Sequence, residues 1–233
     1  MVYRPITQFL SGAVVPRLAR CLLCGESAGD SGLCAACCAG LPFLHGACAR
    51  CALPLAGAAG SCAHCLQHPP SFASASAAWH YAFPIGQLVQ RFKYHRDLTA
   101  GHSLARLAAL HIEPQAERPD LLVPVPLHWR RYWRRGYNQA QLIAAEFAHQ
   151  WQIPVANRLL RKRRASETQQ QLKRAQRLRN LQRSFAVHGT VDGLHIGLVD
   201  DVITTGATLE AAARALLDAG ARRISAFALA RTP

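Results

Sequence analysis

The chain has 233 residues, enough for one α/β domain and a small module. Half of the residues are hydrophobic, so a sizeable core is expected, and no apolar run reaches the length of a membrane span. A net charge of +14 and a pI near 10.1 point to polyanionic or phosphate-rich partners and say nothing about fold. Residues 9–15 are mildly apolar but lack a charged flank and a small-residue cleavage site. The expectation is a short helix rather than a signal peptide, in a cytoplasmic protein.

All nine cysteines lie between residues 21 and 65. Eight form Cys-x-x-Cys pairs: Cys21/Cys24, Cys34/Cys37, Cys48/Cys51 and Cys62/Cys65. Two intervening residues let one tight turn aim both sulfurs at one ion, and four sulfurs make a closed tetrahedral zinc site. Taken in order, the pairs give one zinc at Cys21, Cys24, Cys34 and Cys37 and another at Cys48, Cys51, Cys62 and Cys65, a duplicated ribbon. An interleaved cross-brace stays open on spacing alone. Cys38 is left over, either as a bystander or in place of Cys37, and His45, His64 and His68 are read as bystanders. The segment is poor in large apolar residues, so the metal must supply much of its folding free energy. Pro69-Pro70 closes the module, placing a boundary between residues 1–70 and 71–233.

Beyond it, Phe72 to Phe83 has the rough alternation of an edge strand or hairpin. Ile85, Leu88, Val89 and Phe92 fall at helical spacing, followed by the cationic Lys93. Leu98 to His111 reads as an amphipathic helix with Leu104, Leu107, Ala108 and His111 on one face. Leu121 to Pro126 reads as a strand opening into a loop, His128 to Gly136. There Arg130, Arg131, Arg134 and Arg135 flank Tyr132 and Trp133. A helix then runs to Gln150, and Val155 to Leu160 is a candidate short strand. From Arg158 to Arg183 stand ten Lys/Arg against the single acid Glu167. Such a segment either solvates the domain or binds a polyanion through contacts that weaken with salt. Arg161, Lys162, Arg163 and Arg164 are its densest part, and aromatics such as Trp129, Tyr132 and Trp133 suit stacking on the bases of a single strand.

Further strands are expected at Phe185–Val187, Ile196–Val199 and Ile224–Ala230. Alternating strands and helices imply a mostly parallel sheet, with ligands beyond the carboxyl ends of its strands. The strand Ile196–Val199 is followed by the most informative stretch of the chain. Asp200 and Asp201 stand at its end, then Thr204-Thr205-Gly206-Ala207-Thr208 gives a turn of small residues, then Leu209 to Ala219 reads as a helix. Backbone N–H groups of such a turn, at a helix N-terminus, suit a phosphate. The carboxylates suit sugar hydroxyls or a Mg²⁺ that carries them.

The Asp-Asp, two apolar residues, Thr-Thr-Gly-x-Thr run resembles the 5-phosphoribosyl-1-pyrophosphate (PRPP) motif of type I phosphoribosyltransferases. With the four cysteine pairs, Phe92-Lys93-Tyr94, Val123-Pro124-Val125-Pro126, Arg135-Gly136-Tyr137-Asn138-Gln139 and Arg179-Asn180, the chain resembles the ComF family in the same order of motifs. That resemblance implies a double zinc ribbon joined to a phosphoribosyltransferase-like parallel sheet with flanking helices, and structural zinc with Mg²⁺-dependent PRPP binding. It also implies a role in natural transformation, handling internalised single-stranded DNA alongside competence or recombination proteins, or a related housekeeping or carbohydrate-linked role. Lys93 and the arginine-rich loop would then face the departing pyrophosphate, whose oxygens gather charge as the ribosyl bond breaks. The acceptor is not identified, and a non-catalytic, PRPP-sensing or nucleic-acid-binding adaptor is the alternative.

Overall fold

The computed structural model describes residues 20–55, 60–114, 117–162 and 184–233; at Arg130 and Arg131 it describes the backbone alone. The short helix expected at residues 9–15 lies outside the described residues, as do Arg179 and Asn180. The chain divides into two compact units, Met1–Gly40 and Leu41–Pro233.

Within the first unit, a knuckle at Cys21–Gly25 precedes helix α1 (Ala35–Ala39). Gly25 turns the chain with φ +80° and donates to the Cys21 carbonyl. Cys34 caps α1, its sulfur accepting from Cys37 N–H. The second unit begins with the same design. Ala52 (φ +57°) donates to the Cys48 carbonyl, and Cys62 stands at the N-cap of α2 (Ala63–Gln67). The repeat seen in the cysteine spacing is therefore a repeat of structure. Glycine takes the left-handed position at no steric cost in the first copy, whereas the second places an alanine there.

The core of the second unit is a parallel sheet of β1 (Ser74–His80), β2 (Leu121–Pro124), β5 (His195–Ile203) and β6 (Arg223–Arg231), in the order β1-β6-β5-β2. The expected edge strand at Phe72–Phe83 is β1. Its free edge is covered by the second ribbon: Leu44 N–H donates to Ala78 O, His80 N–H to Pro42 O and Ala75 N–H to Ala49 O. That cover satisfies backbone groups that would otherwise template association.

Between β1 and β2 run α3 (Ile85–Tyr94) and α4 (Leu98–His111). The helical spacing read from Ile85, Leu88, Val89 and Phe92 holds, as all four are buried. Asp97 caps α4 by accepting from Ala100 N–H at 2.9 Å and pairs with Arg91. Gly101 lets the helices approach, because a Cβ there would stand 2.4 Å from the Phe92 ring. Of the face read on α4, Leu104 and Ala108 are buried while His111 is exposed.

The segment His128 to Gly136, read as a loop, is largely helical: α5 spans Trp129–Arg135. Its arginines and aromatics carry no helix breaker, and Gly136 (φ +84°) ends it. Helix α6 (Gln139–Trp151) follows, capped by Asn138, whose Oδ1 accepts from Ala140 N–H and whose Nδ2 donates to Val125 O. One side chain thus fixes α6 to the carboxyl end of β2. The strand expected over Val155–Leu160 begins later. Val155 makes a single bridge to Leu122, and β3 (Leu160–Lys162) pairs antiparallel with β4 (Phe185–Val187). Helix α7 (Ala207–Asp218) joins β5 to β6. Ile196 and Leu198 of β5 and Ile224, Ala226 and Ala228 of β6 share one apolar cluster with Leu209, Ala212 and Leu216 of α7. On the other face, Trp151 of α6 stacks edge-on against Phe227 at 5.0 Å. The result is a sheet between two helical layers. Among the described residues no helix is long and apolar enough to cross a membrane.

Candidate phosphate turn and zinc centres

Strand β5 carries Asp200 and Asp201, and alternation along it sends them to opposite faces. Asp201 meets Lys93, from the last turn of α3, at 2.9 Å, with the two side chains 14% and 18% exposed. Asp200 lies on the side of Ile196 and Leu198, its Oδ1 accepting from Asp201 N–H at 2.8 Å. Burial, then the negative charge of Asp201, pushes the Asp200 carboxyl up to about 7, against the opposing effects of that N–H, Lys93 and Lys162. The twin acids are therefore not a chelating pair for one ion. They are two carboxyl groups on either side of the strand end, Asp201 paired with a cation and Asp200 held toward its protonated form.

After Ile203 the chain turns through Thr204, Thr205 and Gly206 into α7. Gly206 adopts φ +75°, which a side chain would strain, and no side chain caps the helix. Thr205 Oγ1 makes only a long contact to Ala207 N, 3.4 Å. Thr204, Thr205, Ala207 and Thr208 are exposed. The strand end, the turn and the helix start thus lie together, with the turn residues open to solvent.

The arginine-rich segment divides. Trp129, Tyr132 and Trp133 are exposed on α5, as is Arg134. Arg135 is buried, its guanidinium 5.0 Å over the Tyr94 ring and donating to Gln139 Oε1. The Tyr137 hydroxyl donates to the Phe92 carbonyl. Arg135 and Tyr137 therefore brace the end of α3 that delivers Lys93. Arg161 and Lys162 are exposed on β3, with the Lys162 ammonium 5.6 Å from the Phe185 ring. Arg163 and Arg164 lie outside the described residues, as do the side chains of Arg130 and Arg131. A surface groove of about 360 Å³ lined by Arg50, Ser71, Arg222 and Arg223 lies at the amino end of the strands, away from the turn.

The cysteines resolve the pairing: the sulfurs of Cys21, Cys24, Cys34 and Cys37 lie within 4.8 Å of one another, and so do those of Cys48, Cys51, Cys62 and Cys65. The pairing is sequential rather than interleaved, and Cys38 instead contacts Ser31 Oγ. Electrostatics fit a dication. Burial pushes the Cys48 thiol up, but the N–H groups of Cys62, Cys51 and Arg50 outweigh it and bring it to about 6. Ionising a second sulfur beside it is harder: Cys65 rises through burial and the adjacent thiols, and in the first site Cys37 rises to about 12 through Cys34 and Cys24. Zn²⁺ removes that conflict by letting all four sulfurs of a site carry charge.

Two family signatures agree with this geometry. The double zinc ribbon domain matches residues 10–66 and the phosphoribosyl transferase domain residues 100–233. The competence protein F of Haemophilus influenzae is 34% identical over 174 residues, covering 71% of this chain and 76% of that protein. The chain belongs to the competence protein F (ComFC/YhgH) family. Within it, the DNA utilization protein YhgH of Escherichia coli O157:H7 is 32% identical over 218 residues, covering 91% of this chain and 90% of its own. The competence protein ComFC of Bacillus subtilis is 30% identical over 158 residues, 67% of this chain and 63% of that one. Among solved structures, the glutamine PRPP amidotransferase of B. subtilis aligns with a TM-score of 0.39 at 24% identity, over 54% of this chain and 25% of that one. With both domain models matched, this family member carries a type I phosphoribosyltransferase fold and two four-cysteine sites.

One residue of the site escaped the sequence. Arg231, 7% exposed at the end of β6, donates to the carbonyls of Ile203 and Thr204 and of Cys51. Its signal was an arginine closing a mostly apolar strand, Ile224 to Ala230.

Proposed function

We propose that this protein binds PRPP with Mg²⁺ at the turn Thr204–Thr208 and acts in the uptake and handling of single-stranded DNA. The observation that carries the reading is the open turn after β5, with uncapped amides at the start of α7 and a carboxylate on each side of the strand end. The amides of the turn hold the 5-phosphate, where the helix dipole favours an anion. Asp200 and Asp201 accept hydrogen bonds from the ribose hydroxyls. A bound Mg²⁺ would supply charge neutralisation to the pyrophosphate oxygens, with the ligand's own oxygens holding it, since the two carboxylates point to opposite faces of the strand. Lys93 is within reach of that same end of the sheet and stabilises charge on the leaving oxygens once the ribose displaces it from Asp201.

The nucleic-acid part draws on the basic balance, on Arg134, Arg161 and Lys162, and on Trp129, Tyr132 and Trp133 exposed on α5. The relatives' names, competence protein and DNA utilization protein, point the same way. Aromatic faces stack bases without sequence preference, and the cations meet phosphates. A non-catalytic role as a PRPP sensor or DNA adaptor uses the same contacts and differs only in turnover.

Calorimetry with PRPP, with and without Mg²⁺, tests the reading. Binding that needs Mg²⁺ and is lost in Asp201→Asn is expected; wild-type protein giving no heat at millimolar PRPP overturns it. Pyrophosphate release in the presence of single-stranded oligonucleotide then separates the enzyme from the sensor.

A further inference from the structure

We propose that Arg231 is a positioning residue through which the second zinc site sets the orientation of the phosphate turn, an inference that rests on the PRPP reading above. The guanidinium is buried and reaches two parts of the unit that are far apart in sequence. Its Nε donates to the carbonyl of Cys51 at 3.1 Å, inside the zinc knuckle. Its Nη1 donates to Thr204 O at 2.5 Å and Ile203 O at 3.3 Å, and to the carbonyl of Thr232. Among the described residues no carboxylate pairs with it, so its charge is met by carbonyl dipoles and the Thr232 hydroxyl.

The consequence for the turn follows from peptide geometry. In a trans peptide the C=O and the following N–H point in opposite directions. Holding Thr204 O inward against Arg231 therefore turns the Thr205 N–H outward, to the open side of the turn. The same hydrogen bond polarises that peptide and makes its N–H a better donor to an anion. Arg231 thus fixes the direction of a phosphate donor without touching the phosphate.

Its other end depends on the metal. Cys51 is a ligand of the second four-cysteine site, and its carbonyl is held by the knuckle that Ala52 closes at φ +57°. With the metal gone, nothing pulls the Cys51 sulfur toward Cys48, Cys62 and Cys65. The knuckle relaxes, Arg231 loses a fixed acceptor, and the Thr204–Thr205 peptide is freer to rotate. Zinc in this site and phosphate on the turn then favour each other, and such coupling is reciprocal.

The test uses the full-length, zinc-loaded protein. Iodoacetamide alkylation of each cysteine is followed by mass spectrometry, with and without saturating PRPP and Mg²⁺. Alkylation of Cys48, Cys51, Cys62 and Cys65 is expected to slow about fivefold or more with ligand. Cys21, Cys24, Cys34 and Cys37 report any zinc removed by PRPP itself. In Arg231→Met the ligand effect disappears, and in Arg231→Lys, which keeps the charge but not the fork, it falls. A ligand effect that survives in a folded Arg231→Met protein overturns the proposal. Should that variant not fold, the wild-type arm decides: PRPP binding with unchanged alkylation overturns the coupling alone. Absence of PRPP binding overturns the function above and this inference with it.

Discussion

Replacing Asp200 by asparagine is expected to stabilise the protein while removing PRPP binding. Burial and the charge of Asp201 lift this carboxyl from its ordinary 3.8 to about 7. The folded state therefore holds the proton more tightly than the unfolded chain does. The stability this lends is fully present below the unfolded value and is lost as pH rises through about 7. At about 1.36 kcal/mol per pH unit the full shift corresponds to about 4 kcal/mol. Part of it is shared with Asp201 and Lys93, so about 2 kcal/mol is the expected gain for the variant at pH 8. Asparagine keeps an oxygen for Asp201 N–H and carries no charge to repel Asp201. Urea unfolding of wild type and Asp200→Asn at pH 5 and pH 8 measures it. The variant's advantage must be larger at pH 8. An equal difference at both values, or a variant less stable at pH 8 than wild type, refutes the reasoning and with it the picture of a carboxylate held under strain for a ligand.

Lys93→Met leaves Asp201 without its cation in a mostly buried position, which costs about 2 kcal/mol of stability at neutral pH by urea unfolding and weakens PRPP binding by calorimetry. Gly206→Ala forces a side chain into φ +75°, costing about 1 kcal/mol and lowering PRPP affinity while zinc content stays unchanged. Gly101→Ala drives a methyl into the Phe92 ring, 2.4 Å away, so a loss of about 1–3 kcal/mol in stability is expected from thermal or urea unfolding. Metal analysis should find two zinc ions per chain, falling to one in Cys62→Ala; a full complement retained in that variant contradicts the sequential sites.

The zinc ribbons and the strand, turn and helix around Thr204–Thr208 were legible because each rests on a short run of residues whose spacing fixes its geometry. Four Cys-x-x-Cys pairs and an Asp-Asp-x-x-Thr-Thr-Gly-x-Thr run need no distant partner to be recognised. The zinc pairing was not legible, since sequential and interleaved sites share one spacing; only the distances between sulfurs decide. Nor could the fate of the arginine-rich stretch be read. A helix sorts Arg134 to solvent and Arg135 to the Tyr94 ring, and that sorting depends on what lies beneath it. The strand placed at Val155–Leu160 is split: Val155 pairs alone with Leu122, the backbone on either side of it bonded to that residue, and continuous pairing resumes only at Leu160, against Val187. Arg231 was invisible for a similar reason, because its partners, Cys51 and Thr204, are far from it in sequence. Lys93 was read as a candidate from its place after a helix, and its partner Asp201 could be supplied only by the fold.

A crystal structure with PRPP and Mg²⁺ tests the central claim most directly. The 5-phosphate should sit within about 3 Å of the amides of residues 205–208 with the ribose hydroxyls on the carboxylates of Asp200 and Asp201. A ligand bound elsewhere, or a turn whose amides stay turned from it, would contradict the claim.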